Sequence, residues 1–536
     1  MSAIAGLTTM SPAKAKPVIL VSLLTAAFLI NLETTMVNVA LPVLVKELHA
    51  TTDQLQWIVD AYNLVFAALL LTMGSLSDRF GRRGMLLSGL AVFGVASVAG
   101  GLVTTPGALI GARAVMGLGA AMTFPATLSI ISNVFTGRTE RARAIGAWGA
   151  TAGAAIALGP IVGGFLLEHF SWSSIFFAMG PVAAVAFVLV AATVPTSRDL
   201  DAKRSDLGGL VLSGAFMATT VYTIIEAPSY GWGAPRSVAG YLLSVVLLVA
   251  FIGWERRQVE PMLDVQIFSN LRFSAASGSV TVAFFTLFGF IFLIIQYMQF
   301  IRGWSPLSAG VRVLPVAIAV GIGSVVGTPL AVKVGTKVIV AAGLVAITIF
   351  YLWAALTVTP TTSYFLIATQ MVVFGLGMGL TSAPATDSIM GAVSLGRAGV
   401  GSAVNDSTRL LGGTLGVAII GSVYASIYGS RLGRHLPSLL PTHDAVIAHQ
   451  SVGAALAVGR RAAALGHPGL GTAIHHAATN AFIDGLTAGC YVAGGVAAVG
   501  VVLAITLLPS QPPTAMFDDA TRKPVNHGAA SFAGVV

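Results

Sequence analysis

Read for hydropathy, the chain is a succession of long apolar runs separated by short polar stretches. A helix that crosses a bilayer needs about 20 apolar residues. By that test about fourteen runs qualify, at approximately 18–42, 54–77, 84–103, 106–134, 143–167, 172–194, 206–226, 237–254, 272–300, 306–332, 337–357, 361–390, 397–428 and 484–508. Clusters of Gly, Pro or charge stand between them, as turns require. The runs group as six, two and six. This predicts an all-α polytopic membrane protein with a six-helix bundle over 1–200, two inserted linker helices over 201–260, and a second six-helix bundle over 261–510. A long outer loop is expected at 429–483 and a cytoplasmic tail at 511–536. Two six-helix halves, which share little visible sequence, suggest by hydropathy alone internal repeats with a binding site between them near the midplane.

Composition agrees with this picture. Of the 536 residues 56% are hydrophobic and only 9% charged, against roughly 25% charged in a soluble domain. The formal charge of +9 raises nucleic acid as a partner, but the cations lie in short loops between apolar runs, as topology signals do. With a cytoplasmic N-terminus, eight of the 29 Lys and Arg fall outside, two (Arg113 and Arg409) lie within spans, and the remaining 19 fall inside. The expected location is therefore the cytoplasmic membrane, multi-pass, with both termini cytoplasmic and the lipid bilayer as a partner. The one cysteine, Cys490, excludes an intrachain disulfide. Lys14 and Lys16 precede a first apolar segment too long for a signal peptide, so it is read as an uncleaved helix.

No nucleotide-binding GxxxxGK[ST], no HExxH and no credible nucleophile elbow occurs, so the chain reads as a secondary transporter rather than an enzyme. No cofactor is expected, and a proton gradient is the expected energy source. The loop at 429–483 carries six of the nine His, in a spacing that fits no tetrahedral metal site. A flexible, solvated loop with some helical character is expected there, with no metal.

Charges inside the apolar runs are costly and therefore informative. Glu33 lies in "FLINLETTMVNVALP", roughly 22 Å up the first span. Asp60 and Arg113 sit roughly 9 and 10 Å below the outer surface on spans 2 and 4. Three charges at nearly one depth are what an interacting cluster would look like. A static ion pair that only fixes helix packing is the alternative. Asp406 and Arg409, three apart in "NDSTRLLGG", can pair on one face. A structural pair and a second proton site both remain open for them. Asn38, Tyr62, Gln296, Tyr297 and Gln299 are candidate cavity-lining residues or ordinary core.

Four motifs converge on one family. "GSLSDRFGRRG", Gly74 to Gly84, resembles the cytoplasmic loop signature of the major facilitator superfamily. "RAVMGLGAA", Arg113 to Ala121, resembles the span-4 signature R-x-x-x-G-x-G-x-A. "ALGPIVGG", Ala157 to Gly164, resembles the antiporter signature G-x-x-x-G-P-x-x-G-G, with Ala155 in place of its first glycine. The opening stretch resembles the first-helix motif of the fourteen-helix drug:proton antiporters, with Glu33 where that motif usually has Asp. The resemblance covers roughly residues 18–508. It implies the major facilitator fold and proton-driven export of lipophilic, often cationic, small-molecule drugs. Proton coupling or substrate contact is expected at Glu33, Asp60, Arg113, Asp406 and Arg409, because desolvation and a nearby cation act in opposite directions on a buried carboxylate's hold on its proton. A cytoplasmic gate is implied at Gly74, Asp78, Arg79, Gly81 and Arg82, where plain topological anchoring is the alternative. Gly159, Pro160, Gly163 and Gly164 permit a kink and close packing. A monomer is expected. A dedicated exporter of one metabolite or antibiotic is the rival reading; an importer and a non-transporting sensor are further ones.

Overall fold

The computed structural model describes residues 12–198, 206–393 and 398–509. The expected tail at 511–536 lies outside them. The described chain is helical, because a backbone in hydrocarbon must satisfy its own hydrogen bonds. The helices are α1 (Pro12–Glu47), α2 (Thr52–Phe80), α3 (Arg82–Leu102), α4 (Pro106–Val134), α5 (Arg138–His169) and α6 (Ser174–Thr193) in the first half. The inserted pair is α7 (Leu207–Tyr230) and α8 (Pro235–Glu255). Then come α9 (Leu271–Gln296), α10 (Pro306–Arg312), α11 (Leu314–Val334), α12 (Thr336–Thr357), α13 (Tyr364–Gly391), α14 (Ala398–His435), α15 (Thr442–Gln450), α16 (Val452–Ala464) and α17 (Pro468–Leu507). Fourteen spans are long and apolar enough to cross a membrane, α10 and α11 forming one of them.

Local chemistry sets the helix ends. Thr51 and Gln54 form a reciprocal capping box at the start of α2. Thr105, Ser305 and Ser363 cap α4, α10 and α13 through their hydroxyls. Gly81 turns the chain from α2 into α3 at φ +116°, a conformation that L side chains rarely adopt.

Helices α1–α6 pack on one another, as do α9–α14 with α17. The inserted α7 lies against both α2 and α14, so it covers one seam between the halves. Leu64 of α2, Val221 and Ile225 of α7 and Ala418 of α14 form one buried cluster there. The Trp57 indole donates to Glu226 of α7 at 3.4 Å. On the other seam α5 meets α10 and α11.

The region 429–483 is not a flexible loop. Helix α14 continues to His435, α15 and α16 follow, and α17 starts at Pro468 rather than near 484. Val452, Ala455, Leu456 and Gly459 of α16 are buried, with a spacing that places them along one helix face. A search for unbroken apolar runs misses such an amphipathic helix. The result is a helical cap over the end of the molecule opposite "DRFGRRG", tied to α17 and reaching α1.

Candidate functional site

Close packing of α4 on α2 builds the central site. A Cβ on Gly117 would fall 2.5 Å from the Tyr62 carbonyl oxygen, so glycine is what lets the two helices touch. Arg113, one turn before Gly117, then reaches across to α1 and pairs with Glu33. Both side chains are fully buried, at 0% exposure. The Arg113 Nε donates to the Ile58 carbonyl at 2.7 Å, and the guanidinium lies over the Tyr62 ring at 4.5 Å. Tyr62 in turn donates its hydroxyl to the Ile30 carbonyl, at 3.2 Å. The arginine is thus held on three sides. Glu33 Oε2 and Arg113 Nη2 have no hydrogen-bond partner among the described residues. A buried pair of this kind loses about 3–5 kcal/mol when one partner is removed, yet here it keeps one open valence on each side.

Asp60 does not join that pair. Arg113 takes the face of α2 that presents Ile58 and Tyr62, and Asp60, two residues from each, points elsewhere on the helix. It is fully buried with neither carboxylate oxygen hydrogen-bonded. One turn before it, Gln56 donates to the Val417 and Ala418 carbonyls at 3.1 and 3.0 Å and to the Ser422 hydroxyl at 3.3 Å. Asn63, buried and also without a side-chain partner, continues the same stripe. Sequence reading missed Gln56 and Asn63. Their 4,3 spacing about Asp60 was the available signal, a polar face on an apolar helix.

The expected Asp406–Arg409 pair is not formed. Arg409 instead donates to the Thr386 hydroxyl at 3.0 Å and lies over the Phe284 ring at 5.2 Å. Among the described residues Asp406 accepts from the neighbouring Asn405 amide, at 3.5 Å. A guanidinium has five donors and takes the partner on the adjacent helix α13 over one three residues back on its own. Two of the cavity candidates are also corrected. Asn38 and Gln296 are buried and return their amides to the carbonyls of Thr34 and Phe292 on their own helices. Tyr297 donates to the Thr359 carbonyl, at 2.8 Å. Gln299 alone crosses between halves, donating to the Val39 carbonyl at 2.9 Å.

Pro160 removes the hydrogen bond that the Ile156 carbonyl would otherwise accept within α5. Thr35 of α1 supplies the replacement, its hydroxyl donating at 3.2 Å. Gly159 and Gly163 let α5 lie directly on Thr35 and Met36. Gly164 faces the backbone of Pro306 and Leu307, and Gly310 faces the Pro160 carbonyl, so this signature forms the contact between halves. Thr35 and Gly310 were not singled out from sequence. A hydroxyl two residues after Glu33 was the only hint of the first, and the second carries none.

Four side-chain hydrogen bonds between the halves lie toward the capped end: Gln56 to α14, Gln299 to Val39, Thr52 to Gln450 at 3.0 Å, and Ser305 to Glu168 at 3.1 Å; toward the other end the Thr72 hydroxyl donates to the Met262 sulfur at 3.1 Å. The other end holds the "DRFGRRG" turn. Arg82 Nε meets Asp78 at 2.7 Å, and the Ser129 hydroxyl donates to the same carboxylate oxygen at 3.0 Å. Arg83 reaches the Ala191 carbonyl, and Arg79 lies over the Phe80 ring. A Cβ on Gly74 would make ordinary contact with Pro125 of α4, at 3.6 Å. Among the described residues these contacts stay inside the first half.

The comparisons bear on the same elements. Residues 23–417 match the model of the Major Facilitator Superfamily. The chain is 35% identical to the multidrug efflux pump LfrA of Mycolicibacterium smegmatis over 451 residues, 84% of this chain and 88% of that one. It is 31% identical to the tetracenomycin C resistance and export protein of Streptomyces glaucescens, covering 92% of each. It is also 31% identical to the methyl viologen resistance protein SmvA of Salmonella typhimurium, over 85% of this chain and 90% of that one. Among solved structures, a bacterial homologue of the human lysosomal transporter Spinster, inward-facing and unoccupied, superposes with a TM-score of 0.63 at 16% identity, over 92% of this chain and 99% of that one. Helix order, signatures and sequence likeness agree: the chain belongs to the major facilitator superfamily.

Proposed function

We propose that this protein is a proton-coupled multidrug exporter of the cytoplasmic membrane, with Glu33 as the site that exchanges a proton for substrate. The observation that carries this reading is the Glu33–Arg113 pair, fully buried and with one Glu33 oxygen left open. A carboxylate in such a place answers to two opposing influences, desolvation and a neighbouring cation. A lipophilic cation arriving at Glu33 competes with both Arg113 and the proton. Proton and drug then exclude each other, which is what antiport requires. Glu33 also sits two residues from Thr35, whose hydroxyl holds the α5 carbonyl beside Pro160, and Pro160 faces Gly310 of the second half. A change at Glu33 therefore has a short path to the contact between halves.

The "DRFGRRG" end is the cytoplasmic one on the charge distribution, which concentrates Lys and Arg there. With the capped end shut, the space between the halves would be reached from the cytoplasm, where a substrate would enter. Asp78 and Arg82 would engage the second half when the molecule turns over. The protein works as a monomer and needs no cofactor beyond the proton gradient. The names of the relatives include multidrug pumps and resistance proteins for single antibiotics, and the breadth of substrates is what separates the two.

Substrate-induced proton release from purified protein in weak buffer tests the coupling. Wild type should release protons on adding ethidium, and Glu33→Gln should not. Equal release from both would remove Glu33 as the coupling carboxylate and turn attention to Asp60 and Asp406. Proteoliposomes with an imposed pH gradient, given a panel of dyes and antibiotics, test breadth. Transport of one compound alone would favour a dedicated exporter.

A further inference from the structure

The capped end holds a feature that the cycle above does not use. A cavity of about 350 Å³ opens between the halves and the cap, within the size range of about 300–1,000 Å³ typical of small-molecule sites. Lys46 at the end of α1 and Arg460 of α16 line it, with Gln299 and Phe300 of the turn after α9, Trp304 and Leu456. Both cations are exposed, and neither has a carboxylate partner among the described residues. Trp304 is flanked by two more cations, Arg312 at 4.4 Å and Arg302 at 5.3 Å from the ring centre. The acidic residue that touches this lining is Glu168, held by the Ser305 hydroxyl. Glu47, next to Lys46, does not line the cavity.

Cations at this end run against the topological trend, which keeps Lys and Arg on the cytoplasmic side. Eight of them lie here by the sequence topology; Lys46 and Arg460 line the cavity, and Arg302 and Arg312 flank the Trp304 of its wall. The placement also divides between moving parts. Lys46 belongs to the first half, and Arg460 rides on the cap fixed to the second. When the capped end opens, the cavity becomes the mouth of the central site. A substrate that left Glu33 would pass between these charges.

We propose that this cavity is the release vestibule for lipophilic monovalent cations, and that Lys46 and Arg460 oppose their re-entry while leaving uncharged substrates unaffected. The inference rests on the export reading. Rim charges do not change the driving force, which the gradients set. They lower occupancy of the outward-open site from the far side, and so relieve inhibition by drug already exported. Two unit charges at roughly 8–10 Å in partly solvated surroundings weaken far-side binding of a cation by about three- to tenfold at low salt, and far less at 1 M.

The test uses the full-length protein in right-side-out membrane vesicles, comparing wild type with the Lys46→Gln/Arg460→Gln double variant. Ethidium and the uncharged dye Nile red are added in turn to the far side, and inhibition of efflux is measured at low and at 1 M salt. The double variant should be inhibited by about three- to tenfold lower ethidium at low salt, with the difference closing at 1 M and with Nile red inhibition unchanged. Lys46→Glu should move ethidium inhibition further in the same direction. An unchanged ethidium constant, an equal shift for Nile red, or a shift indifferent to salt would overturn the vestibule. Absence of any ethidium movement by wild type would overturn the export reading along with it.

Discussion

Gly310→Ala puts a single methyl group where the halves meet. A Cβ built on Gly310 would lie 2.7 Å from the Pro160 carbonyl carbon and closer still to its oxygen. Ordinary contact begins near 3.4 Å, so α10 and α5 must part by more than an ångström. Overpacking of this kind costs about 1–3 kcal/mol. Pro160 and Gly310 belong to different halves, so the cost falls on the conformation with the capped end shut and vanishes when it opens. At 1.4 kcal/mol per tenfold, the closed-to-open ratio should drop by about 5- to 150-fold. The assay is a spin-label distance between His169→Cys on the first half and Leu439→Cys on the cap, both exposed, in a Cys490→Ala background. The variant should gain a longer-distance population and lose most drug efflux. A distance distribution identical to that of the parent, with normal efflux, would refute the assignment of this contact as the far-side seal.

Asp78→Asn removes the charge from the contacts with Arg82 and Ser129, charge-assisted bonds worth about 1.5–3 kcal/mol; drug efflux by a well-expressed variant should fall at least tenfold, as read by ethidium retention in cells. Thr35→Val keeps the shape but leaves the Ile156 carbonyl without its donor, at a cost of about 1–3 kcal/mol, so thermal unfolding in detergent should come several degrees lower. Glu33→Asp should keep partial pH-driven efflux in proteoliposomes, because a carboxylate remains, though one methylene further from Arg113. In a resistance screen, lipophilic monovalent cations should predominate among the substrates, and a screen that returns only anions or strongly hydrophilic compounds would contradict the cavity chemistry.

The span count and the common depth of Glu33 and Arg113 were legible because hydropathy and helical rise are local, one-dimensional quantities. Depth alone placed Glu33 and Arg113 at one level. Depth without rotation could not say that Asp60 faces away from them, because a helix turns about 100° per residue and its phase depends on how α2 packs. Arg409 shows the same limit from another side. Its three-residue spacing from Asp406 permits a pair, but Thr386 on α13 is the partner it takes, and a neighbouring helix is invisible to spacing. The cap was misread because α16 has an apolar face rather than an apolar length. Gly310 carried no signal at all, since its role exists only when another helix touches it.

The inserted α7 has a consequence for how oily molecules find the transporter. Between two rocking bundles in a bilayer there are two lateral windows, and acyl chains or dissolved drugs could slip through either. Here α7 stands like a shutter against one of them, in contact with α2 and α14 together. The window between α5 and α11 has no such helix packed over it among the described elements. On the export reading, entry from the inner leaflet would then be one-sided, and bulky substitutions along α5 should obstruct membrane-dissolved substrates more than those that arrive through water.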